Sequence, residues 1–253
     1  GNYILAKYER DEKNYERDIN HLIQGHKFFF KSREKKFELG VKYCFEDVLQ
    51  ITEDVRVEQN QRKYDEIKPI FIIGVPRCGS TLVEKIIGSG KKTIPIGEET
   101  AVFESYINKK ILQKQSLNLG STTDIRNELY NIYKERGLLS KKNNFIFTDK
   151  SLNNFFYLKL IKEVYPNVKI IHCKRNILSS IISIFQNNLI ELAWTHDLNN
   201  IFKYFDNYFE IMKKYNQTNP NTLYELEYEK LAKNPENESK KLMEFCELPW
   251  DKK

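Results

Sequence analysis

The feature that most constrains this chain is the run from Ile70 to Ile87. Ile70-Phe71-Ile72-Ile73 is a short, apolar, mostly β-branched stretch of the kind buried on both faces of a sheet. It passes directly into Gly74-Val75-Pro76-Arg77-Cys78-Gly79-Ser80-Thr81, after which Leu82, Val83, Ile86 and Ile87 take up helical spacing. Strand, glycine-bearing loop and helix in immediate succession predict the opening of a nucleotide-binding α/β domain. Apolar stretches at 145–147, 168–173 and 222–226 predict three more strands. Helical patterns fall near 101–114, 123–136, 154–165, 177–189 and 198–215. Such alternation calls for a mostly parallel sheet covered on both faces. Segment 115–124 reads as a loop ending at a helix cap, Thr123 or Asp124.

Residues 1–66 carry no proline and no strand signal, and their apolar spacing predicts helices over 3–10, 15–30 and 37–52. The short polar turn Arg10–Asn14 is similar to the end of a helical repeat array, and a plain helical lead-in fits equally well. The expected organisation is therefore an α/β fold: a P-loop-like parallel sheet flanked by helices over 67–253, with an all-helical N-terminal extension over 1–66. A chain of 253 residues, 40% hydrophobic, suffices for one such core and an appendage.

Composition narrows the partners. The net charge of +6 suits an anionic small ligand and is too slight and too evenly spread to predict nucleic-acid binding. Cys44, Cys78, Cys173 and Cys246 are far apart and lack zinc-ligand spacing, so no metal site and a reducing, cytoplasmic compartment are expected. No apolar run approaches the ~20 residues of a membrane helix, and no transmembrane segment or signal peptide is expected. The chain opens at Gly1 rather than methionine, which leaves room for a removed leading segment.

The loop Gly74-x4-Gly79-Ser80-Thr81 has Walker A spacing with Ser80 where the lysine belongs. Backbone N–H groups at a helix N-terminus still converge on an anion, with Arg77 as a permanent cation. Without the lysine, the β- and γ-phosphates of ATP or GTP lose their ordinary cradle, and a donor with a shorter 5′ chain fits better. A thiolate nucleophile at Cys78 would need an arginine six positions on, where Glu84 stands, so Cys78 reads as a loop residue. Lys150 follows the second strand. Arg175 follows the third, with Ser179, Ser180 and Ser183 on the next helix, which makes a second anion pocket. The acids of Gly97-Glu98-Glu99-Thr100 either remove a proton or merely favour a helix's first turn. His172 reads as a base or, more commonly for such a position, a core histidine.

Pro76-Arg77-Cys78-Gly79-Ser80-Thr81-Leu82 resembles the 5′-phosphosulfate loop of sulfotransferases that use 3′-phosphoadenosine 5′-phosphosulfate (PAPS), usually Pro-Arg-Ser-Gly-Thr-Thr-Leu; Cys78 and Ser80 depart from it. Asp149-Lys150-Ser151-Leu152-Asn153-Asn154 resembles the Asp-Lys-x-Pro-x-Asn of relatives linked to tetratricopeptide repeats. Gly97-Glu98-Glu99-Thr100 is similar to that of protein-tyrosine sulfotransferases. Tyr228-Glu229-Lys230-Leu231 through Asn234-Pro235-Glu236, and Pro249-Trp250, are similar to the family's C-terminal pattern. The resemblance implies that Arg77, Cys78, Gly79, Ser80, Thr81, Leu82, Arg175, Ser183 and Tyr228 bind PAPS and leave adenosine 3′,5′-bisphosphate as product. It implies Glu99 as base, with Glu98 the alternative, and Lys150 and Arg77 stabilising the transferring group without a metal. The acceptor would be a hydroxyl or amine of a protein, glycan or lipid, a protein tyrosine among them. It also implies a further C-terminal segment beyond Lys253. Two other readings stay open: a P-loop kinase or NTPase-like protein, and an inactive nucleotide-fold binding module.

Overall fold

Ile70 to Ile73 form a strand because burial is the only stable place for them. In the computed structural model, which describes residues 1–60, 67–90, 92–114, 117–139 and 145–251, all four are at most 1% exposed. Burying each contributes about 1.5–3 kcal/mol, and the stretch becomes the centre of a sheet.

Along the chain, helices α1 (Asn2–Asp11), α2 (Tyr15–Lys31) and α3 (Glu34–Lys42) lead through a π-helical turn at Tyr43–Asp47 into α4 (Val48–Asp54). Strand β1 (Arg56–Glu58) and the central β2 (Lys68–Gly74) come next, followed by α5 (Ser80–Gly88) and α6 (Val102–Lys114). Then come β3 (Asn118–Ser121), α7 (Thr122–Glu135), β4 (Ile146–Lys150), a 3-10 turn at Leu152–Tyr157, α8 (Leu158–Val164) and β5 (Lys169–Lys174). The described chain closes with α9 (Ile177–Gln186), a 3-10 turn at Ala193–His196, α10 (Leu198–Thr218), β6 (Tyr224–Glu227), α11 (Tyr228–Lys233) and α12 (Pro235–Phe245).

The main sheet has the order β4-β2-β5-β6, every pair parallel. Parallel pairing brings the C-terminal ends Gly74, Lys150, Lys174 and Glu227 to one edge, the edge where open α/β sheets take ligands. Its two faces differ in chemistry. The pairs Ile70↔Thr148 and Ile72↔Lys150 lie on one face, Phe71↔Asp149 on the other. Helix α5 covers the first face, where its Glu84 meets Thr148. Helices α6 and α7 cover the second: Phe103 meets Phe71 edge-on at 5.5 Å, and Tyr133 lies 4.6 Å from Phe147.

The chain packs as two compact units, one of residues 1–50 with 176–210, the other of 51–175 with 211–253. The boundary drawn from sequence at residue 66 falls within the second. In the first unit, His26 Nε2 lies 2.7 Å from the Phe185 carbonyl and His26 Nδ1 3.0 Å from His196 Nδ1. Phe37 stacks on His196 at 5.0 Å. Burial pushes the pKa of both histidines down, His196 to about 4, so the pair is a neutral aromatic core.

Several sequence expectations need correction. Segment 115–124 is not a simple loop: Asn118–Ser121 pairs in parallel with Arg56–Glu58, which also breaks the expected all-helical run 1–66. Within Asn118–Ser121 only Leu119 is buried, too little apolar character to announce a strand. Residues 61–66 and 115–116 lie outside the described residues. The cap of α7 is Ser121, whose Oγ accepts the Asp124 amide at 3.2 Å, rather than Thr123 or Asp124. The helix expected over 154–165 opens as a 3-10 turn at Leu152 and ends at Val164, and that over 177–189 stops at Gln186. The second strand reaches Lys150, so this lysine ends the strand rather than following it.

Candidate active site

The loop after β2 is held in an uncommon backbone. Arg77 sits at φ 69° and Gly79 at φ 96°, both left-handed. At Gly79 no other residue fits, because a Cβ there would lie 2.5 Å from the Tyr228 ring. The arginine carries the strain without that freedom, as residues at functional loops often do. Helix α5 starts immediately afterwards, so its first N–H groups and dipole face the loop.

Cys78 and Ser80 turn inward. Cys78 is 1% exposed, and Cys173 and Ser80 are the neighbours that act on its thiol. The Cys173 thiol lowers the Cys78 pKa against burial, and the same contact raises that of Cys173. All four cysteines are free and buried, which fits the loop-residue reading of Cys78. Thr81 points the other way, toward the acids.

The turn Gly97-Glu98-Glu99-Thr100 runs along β4 and bridges Glu98 to Lys150 in parallel. The Lys150 amide donates to the Gly97 carbonyl at 3.0 Å and the Glu99 amide to the Lys150 carbonyl at 2.6 Å. Glycine is required at 97 because a Cβ would lie 2.2 Å from the Thr148 carbonyl oxygen. Beyond it the chain bends through Glu99 at φ 51° and Ala101 at φ 48°.

Lys150 ties these pieces together. Its side chain is 2% exposed, while those of Glu98 and Glu99 are 46% and 50% exposed. Lys150 Nζ donates to Glu98 Oε1 and Glu99 Oε1, each at 2.9 Å, and to Thr81 Oγ1 at 3.3 Å. Thr81 Oγ1 in turn donates to Glu98 Oε1 at 3.0 Å. Burial opposes the ammonium charge, yet the two carboxylates hold the Lys150 pKa above the ordinary lysine value. The hydrogen bond from Lys150 holds Glu98 below the usual carboxylate range. A buried cation, two half-exposed carboxylates and a threonine at a helix start can bind an anionic group and accept a proton beside it.

Arg175, the residue after β5, reaches back to the loop. Its Nη1 donates to the Arg77 carbonyl at 2.9 Å, and its guanidinium lies 4.8 Å from the centre of the Tyr228 ring. Arg77, Gly79, Thr81, Lys150, Arg175 and Tyr228 are thus gathered at one sheet edge. Leu82, on the first turn of α5, is 44% exposed. Ser183 lies on α9, in the other compact unit. His172 is not part of the acid cluster: it is 4% exposed, with Nδ1 3.7 Å from Glu225 Oε1, and burial pushes its pKa down to about 4.

The sequence reading missed Thr148, and it named Glu84, Asp149, Ser151 and Asn154 without assigning them a part in the site. Their signal was there: Thr148-Asp149-Lys150-Ser151 is a polar run in a strand position where burial is expected. A cavity of about 920 Å³ lies elsewhere, lined by Lys68, Ile146 and Lys169 at the strand starts and by Phe245 at the end of α12. It holds neither the loop nor the acids, and the chemistry follows the strand ends instead.

Fold and site together define an α/β protein with a glycine-bearing loop after β2 that lacks the NTPase lysine, and with a buried lysine across the sheet edge on β4. The chain belongs to the sulfotransferase family, whose profile matches residues 69–252. It is 28% identical over 267 residues to an uncharacterized protein of Aquifex aeolicus (strain VF5), covering 98% of this chain and 34% of that protein. It is 26% identical over 207 residues to protein-tyrosine sulfotransferase A of Caenorhabditis elegans, covering 75% and 53%. The chain therefore spans about a third and about half of the length of these two curated relatives. A solved sulfotransferase from Alicyclobacillus acidocaldarius shares the fold at TM-score 0.50 and 14% identity, over 72% of this chain and 81% of that one.

Proposed function

We propose that this chain is a PAPS-dependent sulfotransferase that passes the sulfuryl group to an acceptor hydroxyl or amine by in-line displacement. The observation that carries the reading is buried Lys150, bonded to Glu98, Glu99 and Thr81 beside the phosphate loop. Loop amides, Arg77 and the Thr81 hydroxyl would hold the 5′-phosphosulfate. Arg175 would meet the 3′-phosphate, with Ser183 as its partner by resemblance and Tyr228 beside the nucleotide. Glu99 takes the acceptor's proton as the acceptor–sulfur bond forms. The bond from sulfur to the bridging oxygen breaks, and adenosine 3′,5′-bisphosphate leaves with that electron pair. Lys150 and Arg77 offset the charge on the sulfuryl and bridging oxygens. The family profile supports sulfuryl transfer in general. The likeness to a protein-tyrosine sulfotransferase supports a phenolic hydroxyl of a protein as acceptor, ahead of a glycan or lipid.

Calorimetric titration tests the donor site. Wild-type protein should bind adenosine 3′,5′-bisphosphate at micromolar Kd, about −8 kcal/mol, and ignore ATP with magnesium. Arg175→Ala should weaken the bisphosphate at least about tenfold, the scale of a charge-assisted hydrogen bond. Binding of ATP with no response to the bisphosphate would overturn the reading in favour of an NTPase-like protein.

A further inference from the structure

Two buried carboxylates with no role in the scheme above reach the acid-bearing turn from opposite faces of the sheet. On the α5 face, Glu84 is 1% exposed and accepts the Thr148 hydroxyl at 2.5 Å; the same Thr148 Oγ1 accepts the Gly97 amide at 3.0 Å. On the α6–α7 face, Asp149 is 0% exposed and accepts the Ser151 hydroxyl at 3.2 Å; Ser151 Oγ accepts the Ala101 amide at 2.8 Å. A hydroxyl has one proton. Once that proton is given to a carboxylate, only lone pairs remain for the backbone, and the direction of each relay is fixed.

Glu98 and Glu99 lie between the two anchored amides. Asp149 is itself pinned by Tyr133 Oη at 2.6 Å and Asn154 Nδ2 at 2.9 Å. The turn needs such support, because Glu99 and Ala101 hold left-handed φ without being glycine, a conformation that persists only when its surroundings impose it. Burying two carboxyl groups in a sheet core is an expensive way to add stability alone.

We propose that Glu84 with Thr148, and Asp149 with Ser151, are positioning residues that clamp the Gly97–Ala101 turn and so hold Glu98 and Glu99 against Lys150. They act through backbone amides and do not touch the substrate. The catalytic consequence rests on the sulfotransferase reading; the clamp itself does not.

The test uses Ser151→Ala, Asp149→Asn and Thr148→Val, with Ser151→Thr as rescue. Amide hydrogen exchange should quicken at least about tenfold at Ala101 in the first two variants and at Gly97 in the third. The loop 75–82 should be unchanged and Ser151→Thr near wild type. In PAPS turnover to the bisphosphate with water as acceptor, Ser151→Ala should lower kcat about ten- to a hundredfold, as a small misplacement of a reacting group does. The KM for PAPS should stay within about threefold, since the donor's own contacts are intact. Unchanged exchange at both amides overturns the clamp. Faster exchange with unchanged kcat, or kcat and donor affinity falling together, overturns its positioning role. A wild-type protein that does not bind the bisphosphate refutes the sulfotransferase reading, while the exchange measurement still decides the clamp. Should Asp149→Asn fail to fold, Ser151→Ala carries the test, because it leaves Asp149 with Tyr133 and Asn154.

Discussion

Gly97→Ala asks how tightly the acid-bearing turn lies against β4. The added methyl would sit 2.2 Å from the Thr148 carbonyl oxygen, 3.2 Å from its carbonyl carbon and 3.3 Å from Leu138 Cδ1. The first two belong to backbone in the middle of strand β4, which is fixed by its pairing with β2, so the turn must lift away instead. Lifting breaks the bond from the Lys150 amide to the Gly97 carbonyl and that from the Gly97 amide to Thr148, each 3.0 Å. Two such bonds are worth about 1 kcal/mol each, and overpacking adds about 1–3 kcal/mol. The expected loss is about 3–5 kcal/mol, which for a chain of this size lowers Tm by about 6–20 °C. Differential scanning calorimetry and urea unfolding would measure it, with bisphosphate titration to show that the phosphate loop survives. A Tm within about 2 °C of wild type would refute the close-approach argument.

Glu99→Gln should lower kcat about a hundredfold or more with donor affinity unchanged, and Glu98→Gln should lower it less; the reverse order in steady-state turnover would move the base to Glu98. Replacing Tyr228 by leucine should weaken bisphosphate binding about three- to thirtyfold while Tyr228→Phe stays near wild type, because Arg175 meets the ring face rather than the hydroxyl. His172 has a folded pKa of about 4 against 6.5 for the free side chain, so the unfolded chain binds more protons between those values. Stability should therefore fall as pH drops from about 6.5 toward 4, and His172→Gln should remove up to about 3 kcal/mol of that fall in urea titrations across the window; an identical pH slope would count against it.

What could be read in sequence follows from how local each signal is. Ile70–Ile73 and the loop behind it are legible because one apolar run and one glycine loop specify strand, turn and helix without outside help. Arg175 and Lys150 are legible as residues at strand ends. The pair β1 and β3 is not, because three or four residues paired across some sixty positions of chain carry almost no periodic signal. Glu84 shows a different limit. In sequence it is an acid unsuited to a phosphate loop, and only the fold turns it away from the loop onto Thr148. Ser80 likewise has the identity of an anion ligand, but the fold buries it to 7% exposure beside Cys78. A side chain's direction depends on neighbours that one sequence does not name.

The order β4-β2-β5-β6 has a consequence for how the molecule comes into being. Every pair is parallel, so even β5 and β6, consecutive in the chain, are joined by a crossover, and each crossover must close a long loop before its pairing contributes anything. The loop after β2 has no Lys150 beside it until β4 docks, and no Arg175 or Tyr228 until β5 and β6 follow. A partly assembled chain therefore has no site to offer, and a ligand of this edge distinguishes the finished protein from everything before it. Such a ligand acts as a one-sided weight on the folding equilibrium, raising Tm with its concentration and leaving the unfolded ensemble untouched.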